Sequence, residues 1–264
     1  MKLHHLRSAT FILHVGPHRL VIDPMLSKQG ALPGFKFFGG GRKANPLVPL
    51  PEGAGEALEE VTGCIITHCQ RKHVDHFDPA GAGWLKSRQL PVYAHSRDVK
   101  WLRNQGLAAE LFTSANLGMR VAGIAALHGR GWLGWALGKG TGWFLDYPGE
   151  PSIYITGDTV LTETVKEAIQ RLQPDIIVAP AGAANIGIGQ TILFLVPELV
   201  ALAKMTAGLV VFNHLEALDH CPTTRKGLAE IMALEGVAER TLIPEDGAVL
   251  DFGTLSTPAA ATTS

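Results

Sequence analysis

Residues 65–78 read IITHCQRKHVDHFD, which places His68, His73 and His76 with Asp75 and Asp78 within eleven residues, directly after an apolar run. Imidazole nitrogen and carboxylate oxygen at that density suit a zinc, manganese or iron ion. The same motif, an apolar run ending on a ligand-type residue, recurs along the chain. RLVI runs into Asp23, CIIT into His68, AGIAAL into His128, SIYITG into Asp158 and GLVVFN into His214. Strand ends in an α/β sheet converge on one edge, where binding sites form. One histidine after a strand is ordinary, since most are partnered or at the surface. Five endings beside an H-x-D-H cluster favour a metal centre. The rival reading of the cluster is a polar helix start, with Asp75 as the cap and the histidines solvated.

Other side chains divide between site and scaffold. Asp23-Pro24 either turns the chain or supports a ligand histidine from behind. His220 and Arg130 are candidate substrate contacts, as is Trp132, while Glu216 and Arg225 either join them or decorate a helix start. Residues 130–150 hold Trp132, Trp135, Trp143 and Phe144 among glycines. They form either a lid over the metals or a hairpin packed on the core or on a partner subunit. His4, His5, His14, His18 and His95 are assigned to packing or surface. No G-x-S-x-G nucleophile is present, and GWALGKGTG fails as a phosphate loop because Gly follows Lys139.

Strands and helices must carry these residues. ATFILHV and RLVIDP form a hairpin around Gly16-Pro17, and residues 27–53 form a long loop. The helix candidates are EALEE, a start at HFDPAGAGWLKS, RDVKWLRNQG, LTETVKEAIQRLQ, ILFLVPELVALAKMT interrupted by Pro197, and PTTRKGLAEIMALEG. The strand candidates are GCIIT, PVYAH, AELFT, RVAGIAALH, SIYIT, DIIVAP, GLVVFN, TLIP and AVLDF. Strands lead the first half and strand–helix alternation the second, which fits one α/β domain over residues 1–254 with a frayed tail at 255–264.

Composition sets the bounds. A net charge of -1 and a pI near 6.8 give no support for binding nucleic acid or an anionic membrane. No apolar run approaches the ~20 residues of a membrane span, and the first residues do not read as a signal peptide. Cys64, Cys69 and Cys221 are odd in number with no disulfide spacing, which points to a reduced, cytoplasmic protein. The expected partner is a small-molecule substrate, with a homo-oligomer as the rival use of the aromatic strip.

The segments ITH…HVDHFD, LHG, YITGDT and VVFNH, in that order, resemble the metallo-β-lactamase superfamily of metal-dependent hydrolases. The opening SATFILHVGPHRLVIDPML is similar to its ascorbate-6-phosphate-lactonase-like branch, and the resemblance spans roughly residues 5–252. It implies an αββα sandwich of two mixed sheets flanked by helices, with two divalent metals at one edge, zinc first and manganese or iron next. By motif, His68, His73 and His128 would hold one metal, and Asp75, His76 and His214 the second, with Asp158 bridging. The implied chemistry is hydrolysis of a small ester, lactone or phosphoester by a metal-bridging hydroxide, with Asp75 or Asp158 as the catalytic carboxylates.

The pattern is broken at one point. T-H-x-H-x-D-H becomes Thr67-His68 followed by Cys69, Gln70, Arg71 and Lys72 before His73, an insertion of three. Aligned without a gap, the first histidine would fall on Arg71. His68 is preferred because it follows the strand, with the extra residues bulging outward. The alternatives are a one-metal site or a non-catalytic metal-binding or scaffold protein on the same fold.

Overall fold

The structure is a computed structural model that describes residues 1–70, 73–188 and 191–253; the side chains of Trp132, Leu133 and Trp135 also fall outside that description. The expected outward bulge of Arg71 and Lys72, the frayed tail, and the proposed contact of the Trp132 side chain therefore lie outside the described residues, while Gln70, expected to bulge with them, is half-buried and donates to Arg97 O.

The chain begins with three antiparallel strands, β1 (Lys2–Arg7), β2 (Thr10–Val15) and β3 (His18–Ile22). A long loop and α1 (Ala54–Glu59) lead to β4 (Gly63–Ile65), α2 (Pro79–Ser87), β5 (Pro91–Ala94), α3 (Ser96–Asn104) and β6 (Ala108–Leu111). The short α4 (Ser114–Leu117) precedes β7 (Arg120–Leu127), α5 (Gly131–Leu137), β8 (Lys139–Asp146) and β9 (Ile153–Ile155). Then come α6 (Glu163–Leu172), β10 (Ile176–Pro180), α7 (Val196–Met205), β11 (Leu209–Asn213), α8 (Arg225–Leu234), β12 (Thr241–Leu242) and β13 (Val249–Asp251).

The strands form two mixed sheets, ordered β13-β1-β2-β3-β4-β5-β6 and β12-β11-β10-β9-β8-β7. Their inner faces meet through Leu13, Leu20, Ile65, Trp143, Ile155 and Val178. The outer face of the first sheet packs Ile12, Val21 and Cys64 on Leu58, Leu85 and Leu102 of α1, α2 and α3. The outer face of the second packs Phe144, Tyr154 and Ile177 on Ile169, Leu199 and Leu228 of α6, α7 and α8. The layers are thus helix, sheet, sheet, helix, because strand side chains alternate faces and each face is apolar.

Strand direction brings the site together. β3 to β6 run parallel, and so do β9 to β12. β7 is antiparallel to β8, which is antiparallel to β9, so β7 and β9 point the same way. The C-terminal ends of β3, β4, β7, β9 and β11 carry Asp23, His68, His128, Asp158 and His214.

Several expectations are corrected. The first residues form a full strand, β1, which alternation alone does not reveal because His4, His5 and Arg7 interrupt it; His5 and Arg7 are buried. ILFL is not helical, and Pro197 sits in the first turn of α7, where its missing N–H costs nothing, rather than interrupting a helix. Residues 130–150 are neither one strip nor a lid throughout. The first part is α5; the second is β8, whose Trp143 and Phe144 are 2% and 0% exposed. Trp143 faces the inter-sheet core, and its Nε1 donates to Ile66 O at 3.0 Å.

Candidate metal centre

His73, Asp75 and His76 lie in a turn before α2, not on the helix, so Asp75 is not its cap. The cap is Asp78, whose Oδ1 accepts from Gly81 N at 2.7 Å while its Oδ2 accepts from Ser27 N at 2.7 Å. Gly81 packs against the chain at Pro24, where a Cβ would stand 2.0 Å from the carbonyl oxygen. Only glycine lets the start of α2 seat there, which presses the preceding turn against Asp23.

Asp23 is the support expected as one of its two readings. It accepts from Thr67 N at 2.8 Å and from Thr67 Oγ1 at 2.5 Å, and its Oδ2 lies 2.9 Å from His76 Nδ1. Thr67 Oγ1 lies 2.9 Å from His68 Nδ1. With each Nδ1 donating backwards, Nε2 of His68, and of His76 once its ring is neutral, is left to face a metal. His73 Nε2 donates to Leu137 O at 3.1 Å, which ties the cluster to the end of α5. Gly157, with φ 61°, turns the chain after β9 so that Asp158 enters the site; a Cβ there would come 3.2 Å from Thr67. His214 itself has φ 60°, with its N–H held by Ser8 O at 2.9 Å. Such a backbone conformation is uncommon for histidine and persists where its surroundings impose it.

The inward atoms crowd together. His68 Nε2 stands 3.0 Å from His128 Nε2, and His76 Nε2 3.3 Å from His214 Nε2. Asp158 Oδ2 is 2.9 Å from His76 Nε2 and 3.7 Å from both His128 Nε2 and His214 Nε2. Asp75 Oδ2 is 4.0 Å from His214 Nε2. Among the described residues, ligand atoms within 4.8 Å of one another form three sets: His68, His73 and His128; Asp75, His76, Asp158 and His214; and Asp23, His68 and His76. Facing imidazole nitrogens repel unless a proton or cation lies among them. Ligands ~2.0–2.1 Å from a tetrahedral zinc stand roughly 3.3 Å apart, so this donor set fits divalent ions.

The electrostatics agree. Burial pushes His68 well below its usual range and His128 down to about 3, so both rings are neutral, as ligands must be. Burial opposes the ionisation of Asp158, but His76 and His214 overcome it and hold the carboxyl well below its usual range. Burial likewise works against protonated His76, yet Asp158 and Asp23 raise it well above 6.5.

The remaining candidates sort by contact. His220 is 3% exposed, with its ring edge-on to Phe35 and His214. Burial pushes it down to about 4, so it borders the site as a neutral ring. Arg130 is exposed and turned towards Glu198 of α7 at 2.5 Å. Arg225 binds Glu216 at 2.5 Å and Asp246 at 2.6 Å and is a structural clamp. The three cysteines are buried free thiols, and burial raises their pKa, which removes a thiolate nucleophile. Cys221 Sγ lies 3.4 Å from His214 Nδ1, an orienting neighbour that the sequence did not reveal. Of the insertion, Cys69 joins the core beneath α3 and Gln70 donates to Arg97 O at 2.5 Å.

Outside the three imidazoles of the first set lies a cavity of about 100 Å³, bounded by Leu137 and Gly138 and by Gln70, Arg97 and Lys139. Arg97 and Gln70 had not been singled out from the sequence, because α3 and the insertion lack any ligand-type motif. Among the described residues no helix is long and apolar enough to cross a membrane.

No family model matches the chain. It is 27% identical to the UPF0173 protein YddR of Bacillus subtilis (strain 168) over 262 residues, covering 96% of this chain and 100% of the relative. Among solved structures, it superposes on the isothiocyanate hydrolase from Delia radicum gut bacteria with a TM-score of 0.87 and 29% identity, over 96% of this chain and 99% of that one. A possible metal-dependent hydrolase from Veillonella parvula gives 0.86 and 25%, over 95% and 98%. The metallo-β-lactamase fold protein YhfI of Bacillus subtilis, at 13% identity and a TM-score of 0.61 over 95% and 98%, shows the shared fold. The similarity to an ascorbate-6-phosphate-lactonase-like branch is not reproduced by these neighbours, which share the sandwich but not that name. The chain therefore has the metallo-β-lactamase fold, and the buried histidine–aspartate cluster at its edge, with the two hydrolase neighbours, supports a metal-dependent hydrolase.

Proposed function

We propose that this chain is a two-metal hydrolase that adds water to a small substrate at an electrophilic carbon or phosphorus centre. The observation that carries this is two neighbouring donor sets, one containing Asp158 and the other 3.7 Å from it at His128 Nε2, beside a cavity lined by His68, His73 and His128. His68, His73 and His128 would hold one ion, and Asp75, His76 and His214 the other, with Asp158 between them; zinc suits these donors best. The ions supply Lewis acidity and lower the pKa of water to about 7. The protein's own share is placement. Asp23, directly and through Thr67, fixes the tautomers of His76 and His68. Asp75 faces the site as a carboxylate: burial would raise it, but His76 and His73 keep it below its usual range. It and Asp158 are therefore the groups that orient the attacking water and move its proton to the leaving group. Substrate enters from the cavity beside His68, His73 and His128. Esters, lactones and phosphoesters are candidate substrates. Similarity to an isothiocyanate hydrolase puts isothiocyanates first in the assay panel.

Elemental analysis of protein prepared without chelator should give about two metal ions per chain. His68→Ala should lower that to about one, and Asp158→Ala should abolish turnover. Activity should rise with pH through about 7. Metal-free wild type after reconstitution, or full activity in Asp158→Ala, would overturn the proposal. Two bound metals without turnover of any panel substrate would favour the non-catalytic metal-binding protein.

A further inference from the structure

Arg97 is held in place by the fold while part of its guanidinium stays open. Its Nε donates to His95 Nδ1 at 3.0 Å and its Nη2 to Thr141 Oγ1 at 2.9 Å. His95 is itself fixed as the N-cap of α3, where its Nδ1 also accepts from Arg97 N at 3.2 Å. Nη1 has no acceptor among the described residues. The guanidinium borders the cavity, as do Gln70, which the insertion contributes, and exposed Lys139 from the start of β8. Among the described residues, no aspartate or glutamate lines that cavity. Asp75 and Asp158 are not among its lining residues, although Asp158 Oδ2 comes within 3.7 Å of His128 Nε2. The charged side chains that line the cavity are thus cationic, Arg97 and Lys139, and its volume of about 100 Å³ suits a compact group.

We propose that this cavity is an oxyanion subsite: the substrate carries a carboxylate or phosphate beside the bond to be cut, and Arg97, with help from Lys139, binds it. A planar guanidinium braced from behind matches such a group, since it loses little freedom on binding. The three-residue insertion then has a use. It carries Gln70 to the cavity wall and pins it to the backbone of Arg97. The subsite rests on the hydrolase reading only in assuming that the neighbouring centre is where the bond is cut.

The test separates the two. Inorganic phosphate is titrated calorimetrically into metal-free and zinc-loaded protein, with metal content measured for each variant. Arg97→Gln should weaken phosphate binding about tenfold or more in both forms, the loss expected for a charge-assisted hydrogen bond. Lys139→Ala, an exposed position that does not endanger folding, should weaken it by about threefold, a smaller screened contribution. Metal content should not change in either variant. In turnover, wild type should prefer a carboxylate-bearing substrate over its neutral methyl ester through KM, and Arg97→Gln should lose that preference. Unchanged phosphate affinity in both variants, or a wild-type preference for the neutral substrate, would overturn the subsite while leaving the metal centre standing. Should wild type bind no metal, the hydrolase reading falls and the metal-free phosphate titration still decides the subsite.

Discussion

His76 is the residue on which proton and metal compete. Its ring lies between Asp23 and Asp158, each at 2.9 Å, and these hold it protonated well above 6.5 despite its burial. A metal needs the neutral ring. Zinc binding to the metal-free protein near neutral pH should therefore release about one proton from His76. Calorimetry in two buffers of different ionisation enthalpy reads this directly, and identical apparent enthalpies would refute it. His128 and His220 behave oppositely. Burial pushes them down to about 3 and about 4, so between those values and 6.5 the unfolded chain binds protons that the folded chain does not. Metal-free protein should thus lose stability as pH falls below about 6.5, by up to about 1.4 kcal/mol per pH unit for each such histidine. His76 has the reverse sign: its contribution is present below 6.5 and is lost as pH rises through its raised folded value. His220→Gln should flatten the acid limb of urea midpoints; an unchanged slope would count against a neutral His220.

At the scale of elements, the corrections concern β1, α5–β8 and the start of α7. The segment rich in glycine and tryptophan could be read as a lid or as a hairpin packed on the core, because aromatic residues among glycines carry no clear period. Pairing with β7 decides for the hairpin in its second half, placing Trp143 between the sheets and Phe144 under the helices. Trp143→Ala should cost about 3–5 kcal/mol, through the cavity it leaves and the lost bond to Ile66 O. A lid residue would change stability by only about 0.5 kcal/mol. The urea midpoint at constant m-value distinguishes them. The end of α5, through Leu137 O and His73, and the start of β8, through Lys139, still border the site.

At the scale of the molecule, the donor groups join the two sheets. Asp23 and His68 leave the first sheet, and His128, Asp158 and His214 the second. Metal bound only by the folded chain should stabilise it by about 2.7 kcal/mol at a free concentration a hundredfold above Kd. A chelator should then lower the thermal midpoint by roughly 5–10 °C for a chain of this size. No shift would mean that the ions, if bound, do not bridge the sheets. What the sequence by itself determined is chemical type and order: histidines and aspartates directly after buried strands, whose register an apolar pattern fixes. That made an α/β domain and a cluster of histidines and aspartates legible; the αββα sandwich and the seven candidate ligands followed from the family resemblance, and the structure brings those seven together, His68 included, as a loop absorbs extra residues at little entropic cost. What only the tertiary structure decided lies between segments distant in the chain. Asp23 reaches both Thr67 and His76, Arg130 turns away to Glu198, and Arg97 and Gln70 come to one cavity wall. No local period encodes such meetings, because they depend on how strands order in a sheet and on which helix packs over which edge.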